Sequence, residues 1–397
     1  MTAVREQIES MAPRPLARAR AVAPLIAASA DAIEAACELP AALLDALHDA
    51  AMFRTLLPRD FGGDELAPAD YVEVMEIIAA ADASTAWCIG QNSGCSMVAA
   101  YLRPDIAAEI WGDDPRAALA WGAGPQGLAK AVDGGYVVTG NWAFASGGRH
   151  ATWLGGHCRV QERDGSLRRG ADDDLVERTM LFAKRRAAMT ANWNVMGLRG
   201  TGSDTYSVAD LFVPEEYSII RDDPVDRRQA GTLYKFSTTH LYASGFAAVA
   251  LGIARATLDA FKSLAQAKTP QGTTSVLRDS AVVQTGVALA EAKLGAARAF
   301  LVGTLKDIWA ELGKAEAMSL DQRMRIRLAA TFATHQAKEV VDMAYHEAGA
   351  TAIFAANPFE RRFRDINTVT QQVQARSAHF EAVGAHMLGL SPSLRFI

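Results

Sequence analysis

The residues whose types and spacing could do chemistry begin with WNVMGLRGTGSDT, residues 193–205. Gly197, Gly200 and Gly202 lie close together, with Arg199 between them and Thr201 and Ser203 beside them. Backbone this permissive can cradle a phosphate on its N–H groups. Neither nucleotide motif is met, however. A P-loop needs Lys after its last Gly, where this chain has Ser203, and the dinucleotide fingerprint needs a further Gly at Thr205. On its own the stretch reads as a tight turn between strands. His150 and His157 fall in a strand-like region with no third ligand nearby, so they do not suggest a metal site. Cys37, Cys88, Cys95 and Cys158 form no CxxC pair and read as reduced thiols, which leads to the expectation of a cytoplasmic protein.

The chain has 397 residues, 50% of them hydrophobic, enough for two or three compact units. A net charge of −5 gives no basis for nucleic-acid binding, and the basic runs RDGSLRR and FERRFRD are short and mixed. No apolar run approaches the roughly 20 residues of a membrane span, and MTAVREQIES lacks the apolar core of a signal peptide. No nucleic acid and no membrane are therefore expected as partners.

Three textures follow one another along the chain. Up to about residue 112 the pattern is helical, interrupted by LPRDFGGDELAPAD, where Asp70 with Glu73 is a candidate capping box and DASTAW opens another helix at Ser84 or Thr85. From 117, short runs such as AALAWGAG, GGYVVTGNWAFASG, TWLGGHCRV, TMLFAKR and DTYSVADLFVP predict a small β-sandwich or barrel, with ERDGSLRRGADDD as an exposed hairpin loop. From about 230, long Ala-rich helices apolar on several faces predict a four-helix bundle that also meets another subunit. The domains are placed at 1–115, 116–225 and 226–397, an α+β chain.

That order of helices, β-domain and bundle resembles the acyl-CoA dehydrogenase fold. LLPRDFGGDELAPADYVEVMEIIAAADASTAW looks like its N-terminal signature and ERRFRDI (360–366) like its Arg-rich turn. Within the superfamily, GNWAFASGGRHATW (140–153) together with WNVMGLRGTGSDTYSVADLFVP (193–214) is most similar to the two-component, reduced-flavin-dependent monooxygenases (group D). The resemblance implies an enzyme that takes reduced FMN or FAD from a partner flavin reductase and uses O₂ to oxygenate a small electron-rich molecule. It also implies a homotetramer. Such chemistry needs a dry apolar slot with a few fixed hydrogen bonds. The resemblance places Trp142 and Phe144 as its walls, Ser146 at the flavin edge, and Trp193 against the ring. It puts Thr201 and Ser203 beside the flavin or its phosphate tail, and Lys268 at the phosphate end. Arg199 has two readings, a phosphate partner or the partner of an acid across an interface. Trp87, Gln91, Asn92 and Cys95 follow DASTAW as substrate-pocket candidates, with a buried core stripe as the alternative.

The base is the position that departs from the family. Related hydroxylases carry His seven residues after the Asp of the RD pair, and here that residue is Gln372, which does not titrate. His379 is the substitute if the tail folds inward. The acyl-CoA dehydrogenase base positions are empty too: Val373 stands at one, and no acid lies between Leu241 and Gly252 at the other. An acyl-CoA dehydrogenase or oxidase, and a non-catalytic protein of this fold, stay as the alternatives. A substrate that already has an electron pair to donate, such as an amine, a thioether or an indole, accommodates Gln372.

Overall fold

The computed structural model of the chain describes residues 14–170 and 173–392. MTAVREQIES, the stretch without the apolar core of a signal peptide, lies outside the described residues. The first layer consists of α1 (Pro15–Ala36), α2 (Ala41–Asp49), α3 (Pro68–Ala81) and α4 (Ala83–Ser96). α3 does not start on an Asp70 capping box. Pro68 occupies its first turn after Ala67, because proline's fixed φ and missing N–H suit that place. α4 opens one residue before Ser84, capped by Asp82, whose carboxylate accepts from the Thr85 N–H at 2.7 Å and from its hydroxyl at 2.8 Å.

The β-domain is a mixed sheet of β1 (Leu119–Trp121), β2 (Gly127–Val132), β3 (Gly135–Trp142), β4 (Trp153–Gln161), β5 (Glu177–Ala183), β6 (Ala188–Thr190), β7 (Thr205–Pro214) and β8 (Ser218–Ile219). Its order is β6-β7-β3-β2-β4-β5-β8, with β1 joined to β4. The pairings form one continuous sheet rather than two separate ones. Trp142 stands at the centre of its core, with Tyr206 stacked at 5.3 Å and Phe182 at 6.3 Å. Three glycines make room for the indole: a Cβ on Gly127, Gly140 or Gly156 would lie 2.4, 2.5 or 2.7 Å from it. With its N–H donated to the His157 carbonyl at 2.9 Å and no exposed surface, Trp142 is a keystone of the sheet. The expectation that it walls a cofactor slot is corrected accordingly.

The last layer holds α5 (Thr238–Ala267), α6 (Ala281–Leu312), α7 (Leu320–Ala348), α8 (Pro358–Val369) and α9 (Ala378–Met387). α5 packs between α3 and α7. By length and composition α5 is apolar enough to cross a membrane, but 89% of its most apolar window is buried inside the protein. It therefore reads as the core helix of this layer. The ERRFRDI segment lies within α8 and is not a turn.

Candidate functional site

The glycine-rich loop holds protein rather than phosphate. A Cβ on Gly197 would lie 2.3 Å from the Arg364 carbonyl oxygen on α8, and one on Gly200 would lie 2.0 Å from Ile33 of α1. Between them Leu198 adopts a left-handed backbone, φ 53°, and its N–H donates to the Asp365 carboxylate at 2.6 Å. The loop thus clamps the sheet to helices from both other layers. Asp365 is buried, and burial pushes its carboxyl up to about 7; the nearby Asp82 and Glu34 add to the rise, while the Leu198 N–H opposes it. Asp204 fixes the other end of the loop. Its Oδ1 accepts from the backbone N–H groups of Asn192 and Trp193, both at 3.0 Å, and its Oδ2 from Arg149 Nε at 2.7 Å. Sequence reasoning missed Asp204 and Arg149, because a lone Asp after Gly-Ser carries no signal of what it will pin.

On this clamp the structure gathers Ser146, Trp193 and Phe144. Phe144 is 63% exposed and held at φ 64°, a conformation unfavourable for a bulky side chain. It meets the half-buried Trp193 edge to face, ring centroids 6.0 Å apart. Met196 beside them is also exposed. Behind this open apolar surface Ser146 is nearly buried. Its hydroxyl accepts from Trp87 Nε1 at 3.1 Å and lies 2.6 Å from the Ser203 hydroxyl. Ser203 in turn lies 2.7 Å from Thr201 Oγ1, which donates to the Leu198 carbonyl at 2.8 Å. Ser203 therefore sits one step and Thr201 two steps behind Ser146, both buried.

Trp87 extends the site inward. It stacks on Phe246 of α5 at 3.8 Å and 9°, and Tyr242 stacks on Phe246 at 5.5 Å and 3°. Gln91 and Cys95 line the same stack: Gln91 Nε2 reaches Cys95 Sγ at 3.5 Å, and Cys95 Sγ lies 3.4 Å from the Tyr242 hydroxyl. Burial pushes the Cys95 thiol up to about 12, so it is an uncharged packing group. This stack fills the part of α5 that would carry the acyl-CoA dehydrogenase base.

Several candidates fall elsewhere. Asn92 spends its amide at both ends, donating to the Leu119 carbonyl at 2.8 Å and facing His150 Nε2 at 2.9 Å, so it is a strut between α4 and the sheet. Lys268 donates to the Ala348 carbonyl at 2.5 Å and to Thr351 at 2.8 Å, and so closes the end of α7 instead of holding phosphate. Arg199 pairs at 3.8 Å with Glu34 of the same chain. Gln372 caps its own turn, its Oε1 accepting from the Gln374 N–H. His379 is buried, its Nε2–H donates to the Val373 carbonyl at 2.8 Å, and burial together with Arg327 lowers its pKa. No hydrogen bond or ring contact among the described residues joins His379 to Ser146 or Trp193, which corrects its reading as a substitute base.

The residues that do converge fit a flat heteroaromatic cofactor. Phe144 and Trp193 offer aromatic surface to its ring, and Ser146 keeps one lone pair for a polar edge.

The family model described as acyl-CoA dehydrogenase, N-terminal domain, matches residues 14–107, and the acyl-CoA dehydrogenase, C-terminal domain, model matches 244–377. The chain is 29% identical to an indole-3-acetate monooxygenase of Pseudomonas putida, over 88% of this chain and 87% of that protein. It is also 29% identical to the oxygenase component of an FADH(2)-dependent resorcinol hydroxylase of Rhizobium sp., over 96% and 95% of the two chains. Among solved structures, the 3-HSA hydroxylase from Rhodococcus sp. RHA1 matches with a TM-score of 0.88 at 25% identity, over 96% of this chain and 98% of that one.

Proposed function

The chain belongs to the acyl-CoA dehydrogenase family, and from that premise we propose the reaction its site performs. It is a flavin-dependent monooxygenase. Reduced FAD or FMN, delivered by a separate flavin reductase, occupies the surface formed by Phe144, Trp193 and Ser146. The substrate is a small electron-rich aromatic molecule, held toward the Trp87–Phe246–Tyr242 stack. When bound, reduced flavin would supply the oxygen chemistry, with one atom of O₂ going to the substrate and the other leaving as water. The relative named as an oxygenase component supports the separate reductase, and its FADH(2) supports FAD. We extend the proposal to a homotetramer in the cytoplasm. The exposed Val282, Leu289 and Phe300 along α6 support a subunit contact, and the free cysteines support a reducing compartment.

The observation that carries this reading is the Trp87–Ser146 hydrogen bond. It ties the polar edge of the cofactor surface to a buried aromatic stack, so a planar substrate and a planar cofactor share one wall. The protein's own work is to bind, orient and exclude water. Phe144, Trp193 and Met196 supply apolar surface that covers the ring. Asp204 and Asp365 lock the loop that carries Trp193. Gln372 does not titrate and its Oε1 is taken by the Gln374 N–H, so it supplies no base and the substrate donates its electrons without being deprotonated there.

The test is anaerobic titration with reduced FAD and reduced FMN, followed by mixing with ¹⁸O₂ and an aromatic such as indole. Saturable binding of reduced flavin and one labelled atom in the product are expected. Bleaching of bound oxidised flavin by an acyl-CoA, with no label incorporated, would replace this reading with the dehydrogenase alternative.

A further inference from the structure

Behind Ser146 the hydroxyls form a chain whose direction is fixed by chemistry. The Leu198 carbonyl can only accept, so the single Thr201 hydroxyl proton is committed to it at 2.8 Å. Thr201 can then only accept from Ser203 at 2.7 Å, which commits the Ser203 proton. Ser203 can then only accept from Ser146 at 2.6 Å, which commits the Ser146 proton. On its other side Ser146 Oγ accepts the Trp87 indole N–H. Every proton in the chain points away from the open surface, and what remains on Ser146 is one lone pair. The terminus is rigid as well. The Leu198 carbonyl also accepts the Trp193 Nε1–H at 3.2 Å, and the next peptide back, at the Leu198 N–H, is held by Asp365. Thr201 and Ser203 are 2% and 3% exposed, so water does not compete for their protons.

We propose that Thr201 and Ser203 are positioning residues that hold the Ser146 hydroxyl as an obligate acceptor, and that this polarity makes the site select reduced over oxidised flavin. The inference rests on the reading that Ser146 meets the flavin edge. Reduced isoalloxazine bears N–H at its central-ring N5, where the oxidised ring has a bare nitrogen lone pair. An acceptor attracts the first and repels the second. A free serine hydroxyl would serve both forms by rotating, and the chain removes that freedom. No bond is made or broken; the protons only keep their orientation.

The experiment measures dissociation constants of the full-length protein for reduced FAD, under anaerobic conditions, and for oxidised FAD. The wild type binds the reduced form more tightly. Ser203→Ala frees the Ser146 proton to face the ring and shifts the ratio of the two constants about tenfold toward oxidised flavin. Thr201→Val removes the next hydroxyl at nearly unchanged shape and gives a shift of the same sign; it also serves if Ser203→Ala does not fold. Thr201→Ser keeps the hydroxyl and keeps the wild-type ratio. If both affinities move together in Ser203→Ala and Thr201→Val, or neither moves, while Ser146→Ala changes flavin binding, the directed chain is overturned and the cofactor reading stands. If Ser146→Ala changes neither affinity, Ser146 is not at the flavin, and both fall.

Discussion

The Asp365 carboxylate accepts the Leu198 N–H at 2.6 Å, across 167 positions of sequence. The two motifs that stood out separately, the Arg-rich segment and the glycine-rich loop, are one joint. Its carboxyl titrates near neutrality. Folding raises the Asp365 pKa from about 3.9 in an unfolded chain to about 7. A group raised in this way contributes stability that is fully present below the unfolded value and is lost as pH climbs through the folded one. Asp365→Asn keeps an acceptor for Leu198 and removes the titration. Thermal melts of the variant should therefore exceed the wild type by a margin that grows from pH 5 to pH 8 and levels off above it. An unfolding temperature difference that does not vary with pH would refute this assignment.

Phe144 combines a left-handed backbone with a mostly exposed ring. Such a conformation costs roughly 1 kcal/mol that glycine avoids. Phe144→Gly should leave urea stability unchanged or raise it by up to about 1 kcal/mol, while reduced-flavin affinity falls by about tenfold or more. A variant that loses stability and keeps flavin affinity would place Phe144 in the frame instead of the slot.

Trp142 should behave in the opposite way. Truncating it leaves a cavity lined by Gly127, Gly140 and Gly156, so Trp142→Ala should cost about 3–5 kcal/mol in chemical denaturation. Any loss of flavin binding should track the unfolded fraction. Strong loss of binding at unchanged stability would return Trp142 to the slot wall.

Gln372 faces a different test, in turnover. Gln372→His adds a titratable base where the wild type has none, and phenol oxidation should rise by about tenfold or more, with a rate that increases as pH passes the histidine pKa. Oxidation of an indole, which needs no such base, should change little. If the wild type already oxidises phenols as fast as the variant, the substrate is being deprotonated by another group.

The sequence by itself determined the layer order, most of the strands and the permissive backbone after Ser146. Those are local properties: apolar periodicity, strand alternation divided by glycines, and a hydroxyl beside permissive backbone. It did not determine β2, β6 or β8, because short or weakly alternating strands are chosen by their partners and not by their own pattern. Nor could it tell Trp142 from Trp193. Both are tryptophans beside glycine-rich segments, and only packing showed that the glycines around Trp142 receive its ring while those after Trp193 receive α1 and α8. Lys268, Asn92 and Arg199 carry groups that suit a binding site, and tertiary structure commits them to a helix end, a strut and an acid in the same chain. The direction of the hydroxyl chain is likewise a tertiary property. Ser146 and Ser203 are separated by 57 positions, and a proton's orientation follows from which acceptor lies at the far end.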